Sequence, residues 1–299
     1  MDVISLFDGI SCGNIALERA GINVDKYYAS EIDKDSIKVA LHNYPKITQI
    51  GNVEKVQTKQ YKDIDLLMGG SPCQAFSMAG KQLNFNDPRG KLFFEYVRIL
   101  EEVNPKYFLL ENVKMKKEYQ DVISDHLGVQ PIMINSSLVS AQSRERLYWT
   151  NIPNITQPVD KNINLVDILE DSDFSNKAII VGRRLNDKGK RRDNDKSIPL
   201  TQCLEVRKSN RNKSNCITTI SKDNVVTSLP IGRHPDVYKN KLPYRKYSEV
   251  ELCRLQTIPD NYFSGLGLSY NKTSKMIGNA WTVDIISHIL RNIDDKKNM

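Results

Sequence analysis

The chain has 299 residues, 39% of them apolar and 26% charged, with a formal net charge of +7 at pH 7. That length can bury one large core and a smaller one, and without a run of 18 apolar residues no membrane-spanning helix is expected. The five cysteines form no CxxC pair and lack histidines at metal-ligand spacing, which indicates a reducing cytoplasm and no metal site.

Short apolar strands alternate with helical segments through about the first 150 residues. The predicted strands cover residues 2–7, 27–31, 64–68, 106–110, 131–138 and 146–150. The predicted helices between them cover residues 13–20, 35–43, 90–103 and 118–127. This alternation predicts a doubly wound α/β sheet, which binds its ligands at the carboxyl ends of the strands.

The texture of the sequence changes at about residue 160, where basic, Asn- and Ser-rich segments replace the alternation. Between Lys177 and Lys213 there are 12 Lys/Arg against 4 Asp/Glu, which favours a polyanionic partner. Short β-like pieces occur at 179–181, 216–220 and 225–227, and helical patterns return at 248–256 and 282–293. We therefore predict one domain from residues 1–160 plus 244–299, and a small second domain from residues 161–243.

A glycine turn joins the first predicted strand to the first helix. Its residues Phe7-Asp8-Gly9-Ile10 let the backbone approach a ligand beside a helix N-terminus. Glu31 ends the second strand, where an acidic residue can accept hydrogen bonds from ribose hydroxyls. Together they predict a cofactor of the adenosine type, and NAD and S-adenosylmethionine both remain open at this point.

Three polar motifs follow the later strands. Gly70-Ser71-Pro72-Cys73-Gln74 places a thiol at the end of a buried strand, and Glu111 ends the next one. Arg144 and Arg146 share one face of a further strand, and neighbouring arginines favour an ionised, nucleophilic thiolate. The polar segment 74–90, which starts beside this thiol, is predicted to be a lid.

In this order the motifs resemble the DNA cytosine-5 methyltransferases, and the resemblance covers nearly the whole chain. The serines at Ser11 and Ser71 make it similar to a phage-type subgroup that is itself similar to the animal de novo DNA methyltransferases. The resemblance implies a Rossmann-like, S-adenosylmethionine-dependent sheet, a small target-recognition domain and double-stranded DNA as the partner. It also implies a base that is flipped out of the duplex into the active site.

The resemblance also implies a role for each matched residue. Cys73 would add to carbon 6 of cytosine, Glu111 would hold the N3 edge, Arg146 the O2 atom, and Arg144 would brace the site. The residues matched to the cofactor pocket are Phe7, Asp8, Gly9, Ile10, Glu31, Ile32, Asn52, Val53, Leu92, Asn279 and Trp281. The residues assigned to DNA are Gln74, Thr218, Thr219, Ile220, Lys222, Arg191 and Arg192.

The resemblance does not predict which bases the protein recognises. Ile220 stands where an arginine would read guanine, so no CpG preference follows, and Lys222 could contact either guanine or a phosphate. Arg191 and Arg192 belong to a basic run that we expect on the DNA backbone.

Three other functions are weighed against this interpretation. A catalytically dead relative would be expected to lack the cysteine, the glutamate or the glycine turn, and all three are present. A tRNA cytosine methyltransferase would use the same scaffold, but the Ser-Pro-Cys-Gln motif favours DNA. An NAD oxidoreductase would leave Cys73 and Glu111 without roles. The recognition sequence and the choice between restriction-modification, phage protection and an orphan enzyme stay open, and a cytoplasmic monomer is expected.

Overall fold

A computed structural model of the chain describes residues 1–72, 88–171, 173–207 and 212–293. These ranges contain two β-sheets with helices packed against the first. None of the helices within these ranges is long and apolar enough to cross a membrane.

The first sheet confirms the predicted doubly wound fold. Its strands are β1 (Asp2–Leu6), β2 (Lys26–Ser30), β3 (Thr48–Gln49), β4 (Leu66–Gly69), β5 (Tyr107–Val113), β6 (Ile132–Asn135) and β7 (Glu145–Thr150). The helices between them are α1 (Cys12–Ala20), α2 (Lys34–Asn43), α3 (Pro88–Val103) and α4 (Lys117–Leu127). The strand order is β3-β2-β1-β4-β5-β7-β6.

Strand β7 departs from the parallel sheet that the alternation suggests. It lies between β5 and β6 and runs antiparallel to both, whereas β1, β2, β4 and β5 are parallel neighbours. Residues 136–144 connect β6 to β7, and this segment is too short for the crossover that a parallel pair requires. The antiparallel strand therefore brings Arg146 opposite Val113, beside the end of β5.

The central strands are buried on both faces because their apolar side chains alternate between two cores. In β4, Leu66 and Met68 belong to one core, and Leu67 belongs to the other. Such two-sided burial is typical of strands covered by helices on both faces. It leaves the carboxyl ends of β1, β4 and β5 at one edge of the sheet, where the polar motifs follow.

The second sheet is antiparallel throughout. Its strands are β8 (Asn176–Arg184), β9 (Leu200–Val206), β10 (Val225–Thr227), β11 (Gly232–His234) and β12 (Arg245–Lys246), in the order β11-β9-β8-β10-β12. A separate small core that includes Ile180 and Leu204 covers one of its faces. The domain boundaries near residues 160 and 243 stay a prediction, and β12 lies just beyond the second one.

The predicted strand at 216–220 is wrong, because this segment bonds to side chains instead of a neighbouring strand. The Ile217 N–H donates to Gln142 Oε1 at 3.3 Å, and the Thr218 N–H donates to Asn224 Oδ1 at 3.3 Å. These bonds hold the segment in an irregular path between the second sheet and the strands β6 and β7.

Three helices complete the chain: α5 (Glu249–Leu255), α6 (Tyr270–Asn279) and α7 (Val283–Leu290). Helix α5 begins with the predicted capping box, in which Ser248 and Glu251 each accept a hydrogen bond from the other's backbone N–H. Helix α7 packs on α1, where Arg19 pairs with Asp284 at 2.7 Å. This packing returns the segment between α6 and α7 to the carboxyl edge of the first sheet.

Candidate active site

The turn after β1 has an unusual backbone. Phe7, Gly9 and Ser11 have φ values of 57°, 60° and 64°, in the left-handed region that is costly for residues with a Cβ. The Asp8 N–H donates to Ser30 O at 3.1 Å, which ties the turn to the end of β2. The fold thus holds this loop in a tight arc above the sheet, although only one of the three residues is glycine.

Asp8 is the buried acid of this turn. Tyr27 donates its hydroxyl hydrogen to Asp8 Oδ1 at 2.6 Å, while Asp8 Oδ2 is buried without a hydrogen-bond partner among the described residues. Burial raises the pKa of Asp8 to about 6, although the Tyr27 hydrogen bond acts in the opposite direction. The site therefore holds an orphan polar atom that a bound ligand could satisfy.

Glu31 clamps the same turn from the second strand. Its Oε2 accepts the Gly9 N–H at 2.8 Å, and its Oε1 accepts the N–H groups of Ile32 and Asp33 at 2.7 and 2.8 Å. Since a carboxylate offers about four acceptor positions, roughly one remains for a ligand hydroxyl. The next residue, Ile32, is 70% exposed and offers an apolar surface beside it.

Several other residues matched to the cofactor pocket bond to, or pack against, other parts of the protein. Asn52 Oδ1 accepts the Glu54 N–H at 3.0 Å and caps the short turn at 53–55, so one of its two lone pairs is already used. Val53 is buried, and Leu92 packs against the same core. Ile10 is buried with its carbonyl bonded to Tyr262 at 2.6 Å.

Glu111 and Arg146 form an ion pair at the end of β5 and the start of β7. Glu111 Oε1 lies 3.0 Å from Arg146 Nε, and the side chains are 12% and 14% exposed. A shielded pair of this kind keeps the carboxylate next to a guanidinium whose other N–H groups can bind an oxygen atom.

Arg144 is buried and hydrogen-bonds the backbone of two distant segments. Its guanidinium donates to Ile217 O at 3.3 Å, to Ala280 O at 3.2 Å and to Gly278 O at 3.5 Å. The residue is 4% exposed, and burial, followed by the charge of Arg146, lowers the pKa of Arg144. It therefore joins the start of β7 to the segment between β9 and β10 and to the end of α6.

Gly70 is the point where the cofactor and catalytic matches meet. A Cβ at this position would lie 2.9 Å from Trp281 Nε1 and 3.2 Å from Glu111 Oε2. Asn112 Nδ2 donates a hydrogen bond to Ser71 Oγ at 3.1 Å, which fixes the residue that follows Gly70. Cys73 and Gln74, together with most of the predicted lid, lie outside the described residues.

The described cysteines divide into two groups. Burial raises the pKa of Cys12 to about 12 and also raises the pKa of Cys203 and of Cys253, so these thiols are unsuited to ionise. Cys216 lies beside two arginines, with its Sγ 3.3 Å from Arg144 Nη1 and 3.9 Å from Arg146 Nη2. The resemblance matches the segment that contains Cys216 to DNA contact, but it gives no signal that this thiol lies beside the two arginines, which are 70 or more residues away along the chain.

The residues assigned to DNA fall into two places. The carbonyl of Thr218 and the N–H of Thr219 lie against Gly278, where a Cβ would meet them at 2.9 and 3.2 Å. Beyond them Ile220 is 58% exposed and Lys222 lies 5.8 Å from the Tyr238 ring centroid. The other two residues, Arg191 and Arg192, lie in the β8–β9 hairpin, where Arg191 pairs with an aspartate.

The sequence as a whole matches one protein family. The model of the C-5 cytosine-specific DNA methylases matches residues 1–295. The chain belongs to this family. The resemblance drawn from the motifs is thereby confirmed.

Relatives of this chain include bacterial and phage proteins. It is 31% identical to the type II methyltransferase M1.ScrFI of Lactococcus lactis subsp. cremoris, over 96% of this chain and 76% of that protein. It is 28% identical to the type II methyltransferase M.FnuDI of Fusobacterium nucleatum, over 99% and 94%. It is 39% identical to the orphan methyltransferase M.SPRI of Bacillus phage SPR, but that match covers 50% of this chain and only 37% of the phage protein.

Solved structures show the same fold. The Entamoeba histolytica methyltransferase EhMeth has a TM-score of 0.68 at 17% identity, and the match covers 98% of this chain and 97% of that protein. A mutant of Spodoptera frugiperda DNMT2 has a TM-score of 0.66 at 20% identity, over 97% and 98%.

The described residues fit S-adenosylmethionine and include no metal centre. The orphan Asp8 Oδ2 suits a ligand hydrogen-bond donor, the remaining acceptor position of Glu31 suits a ribose hydroxyl, and the exposed Ile32 suits the face of a purine. Within the described ranges, no group of three His, Cys, Asp or Glu side chains could hold a metal ion.

Proposed function

We propose that the chain transfers a methyl group from S-adenosylmethionine to carbon 5 of a flipped cytosine in a specific sequence of duplex DNA. The observation that carries the proposal is the close approach of Trp281 and Glu111 to Gly70, where a Cβ would lie 2.9 Å from Trp281 Nε1 and 3.2 Å from Glu111 Oε2. This close approach joins a residue matched to the cofactor pocket and a residue matched to the cytosine, three positions before Cys73.

Carbon 5 of cytosine belongs to an electron-poor ring, so by itself it attacks a methyl donor poorly. The reaction therefore requires a nucleophile of the protein that first adds to the ring. The Cys73 thiolate adds to carbon 6, a C–S bond forms, and the electron pair of the C5–C6 double bond becomes available at carbon 5. S-adenosylmethionine, when bound, would supply the methyl group and leave as S-adenosylhomocysteine, with the electron pair of the broken methyl–sulfur bond. Water then takes the carbon 5 proton, the electron pair of the C–H bond restores the C5–C6 double bond, and the C–S bond breaks to release the Cys73 thiolate.

Glu111 and Arg146 stabilise the negative charge that this addition places on the ring. Glu111 hydrogen-bonds the N3 edge, and Arg146, held by the 3.0 Å ion pair, binds the O2 atom. Arg144 contacts backbone carbonyls, so its role is to position β7 against the neighbouring segments.

The cofactor would be held by the turn after β1 and by the end of β2. The remaining acceptor position of Glu31 would bind a ribose hydroxyl, Ile32 and Val53 would flank the adenine, and Asn52 would accept from its amino group. Leu92, Asn279 and Trp281 close the remaining sides, and burial around Asp8 excludes water from the turn.

Duplex DNA would bind between the two sheets, with the second sheet and its loops forming the target-recognition domain. We assign Gln74, Thr218 and Thr219 to the extruded base, Ile220 and Lys222 to the neighbouring base pairs, and Arg191 and Arg192 to phosphates. The family model and the type II relatives support DNA as the substrate.

The test is a comparison of two cysteine variants. Cys73→Ser should abolish methyl incorporation into duplex DNA while S-adenosylmethionine still binds, because the thiol acts on the base. Duplex carrying 5-fluorocytosine should become covalently linked to the wild type and to Cys216→Ser, and not to Cys73→Ser.

Three results would contradict the proposed function. Methylation by Cys73→Ser near the wild-type rate, or covalent trapping through Cys216, would refute the proposed nucleophile. Incorporation into tRNA in preference to duplex DNA would refute the proposed substrate.

A further inference from the structure

The second sheet contains a carboxylate that binds three arginines. Glu205 Oε1 lies 2.7 Å from Arg183 Nε and 3.0 Å from Arg233 Nε, and Glu205 Oε2 lies 3.0 Å from Arg207 Nη2. The Glu205 side chain is only 8% exposed, whereas those of Arg207 and Arg233 are 54% and 31% exposed. Hydrogen bonds from the arginines, Arg183 first, lower the pKa of Glu205 to about 2.

The strand register places these four residues on one face of the sheet. Glu205 in β9 stands opposite Arg233 in β11 and Ile179 in β8. Arg183 lies on that face because it is four residues from Ile179 along β8. Arg207 follows the last residue of β9 and is two residues from Glu205, so it lies on the same face. The small apolar core lies on the other face and includes the alternate residues of β8 and β9.

This face continues into the contact with the first sheet. Ile179 has the same orientation as Lys177, which stands opposite Val226, and Val226 packs in the large core together with Ile217. Ile217 is the residue whose carbonyl Arg144 binds at 3.3 Å. The arginine cluster therefore lies on the side of the second sheet that faces Arg144.

The cluster carries more positive charge than its acids neutralise. Three arginines face Glu205, with Asp193 as a further acid 3.6 Å from Arg183. Lys177 adds another cation, and its pKa is lowered by burial and then by the nearby charge of Arg207. A guanidinium has five N–H donors, and within the described ranges Arg207 and Arg233 each give one hydrogen bond to Glu205, so donors remain for an anion.

We propose that Glu205 is a positioning residue that presents Arg207 and Arg233 to phosphate groups of the duplex beside the target cytosine. This inference rests on the proposed function, because it takes duplex DNA as the polyanion that approaches this face. The buried carboxylate fixes the direction of the guanidinium groups before DNA arrives, which reduces the entropy that binding must spend on them.

The first experiment removes the arginines. A fluorescent duplex of mixed sequence is titrated at several salt concentrations with wild type, Arg207→Ala, Arg233→Ala and the double variant, because phosphate contacts and the salt dependence do not require the recognition sequence. The salt dependence of log K should become shallower by about one unit for each lost phosphate contact, with affinity reduced about tenfold or more in the double variant. Lys62→Ala is the control, because it also removes one positive charge, and Lys62 precedes the amino end of β4, away from the carboxyl ends of the strands.

The second experiment separates positioning from net charge. Glu205→Gln removes one negative charge, so long-range attraction alone predicts tighter DNA binding. Positioning predicts weaker binding and a raised KM for DNA, with kcat and S-adenosylmethionine affinity unchanged. Circular dichroism and the thermal midpoint identify a variant that fails to fold, in which case the arginine variants decide.

The outcomes keep this inference apart from the proposed function. Wild-type salt slopes in the double variant, or tighter binding by a folded Glu205→Gln, would overturn the inference even if the enzyme methylates DNA normally. A wild type that binds DNA with the expected slopes but forms no 5-methylcytosine would refute the proposed function and retain the inference. Tighter binding of tRNA than of duplex DNA would overturn the choice of partner.

Discussion

Replacement of Asp8 by Asn should change how the stability of the protein depends on pH. The carboxyl of Asp8 has a pKa of about 6 in the folded protein, against an ordinary value of 3.8. A difference of about two pH units, at about 1.4 kcal/mol for each, corresponds to about 3 kcal/mol of unfolding free energy. The magnitude follows from burial, which disfavours the charged carboxylate.

The direction of the effect follows from proton binding. Below pH 3.8 both states carry the proton, so burial of the neutral acid has its full benefit. Between pH 3.8 and about 6 the unfolded chain releases the proton while the folded chain keeps it, so this contribution to stability declines as pH rises. Asparagine does not ionise, so Asp8→Asn should gain up to about 3 kcal/mol relative to the wild type between pH 4 and pH 8.

Urea unfolding of the ligand-free protein at several pH values measures the difference, because the other titrating groups cancel between the two proteins. Tyr27→Phe is the companion variant, since it removes the 2.6 Å hydrogen bond that opposes the rise in the pKa of Asp8. Its stability should continue to decline to a higher pH than that of the wild type. Parallel stability curves for wild type and Asp8→Asn would refute the assignment of a buried, protonated acid.

Further predictions concern the cofactor, the catalytic edge and the recognition loops. Glu31→Ala should weaken S-adenosylmethionine binding by about 1.5–3 kcal/mol, and unchanged affinity in calorimetry would move the cofactor site elsewhere. Gly70→Ala should lower kcat with little change in thermal midpoint, because the added methyl group meets an indole nitrogen at 2.9 Å and a carboxylate oxygen at 3.2 Å, and normal turnover would contradict this. Lys222→Ala should relax sequence preference at one position, on the order of 1–3 kcal/mol, whereas Ala at Arg191 and Arg192 should weaken binding on all sequences alike. Methylation of a randomised library at two salt concentrations distinguishes them, and identical profiles for wild type and Lys222→Ala would show that the reading loop is misplaced.

The first half of the fold could be predicted because its strands are continuous apolar runs buried on both faces. Strand β5 was placed within a few residues, and Glu111 was expected at its end. Helix α6 was missed, because its buried face consists mainly of Thr273, Met276 and Ile277 among polar residues. So few apolar positions in ten residues give no clear helical period.

The site was only partly predictable for a related reason. Motif residues such as Glu31 and Arg146 carry a local signal at the ends of strands. Cys216 carries none, and it reaches the arginines only because Gln142 and Asn224 hold its neighbours in an irregular path. Contacts that depend on the folded position of a distant segment leave no period or spacing in the sequence.

The close approach of Trp281 to Gly70 has a consequence for synthesis on the ribosome. The indole stands more than 200 residues after the strand end that it covers, and the packing of α7 on α1 joins segments equally far apart. Since chains emerge at about 5–20 residues per second, the early strands can pair many seconds before the residue that completes the pocket exists. Truncated or stalled chains should therefore contain folded parts of the sheet and yet be unable to bind cofactor, so no nascent chain would modify a base before its translation is nearly complete.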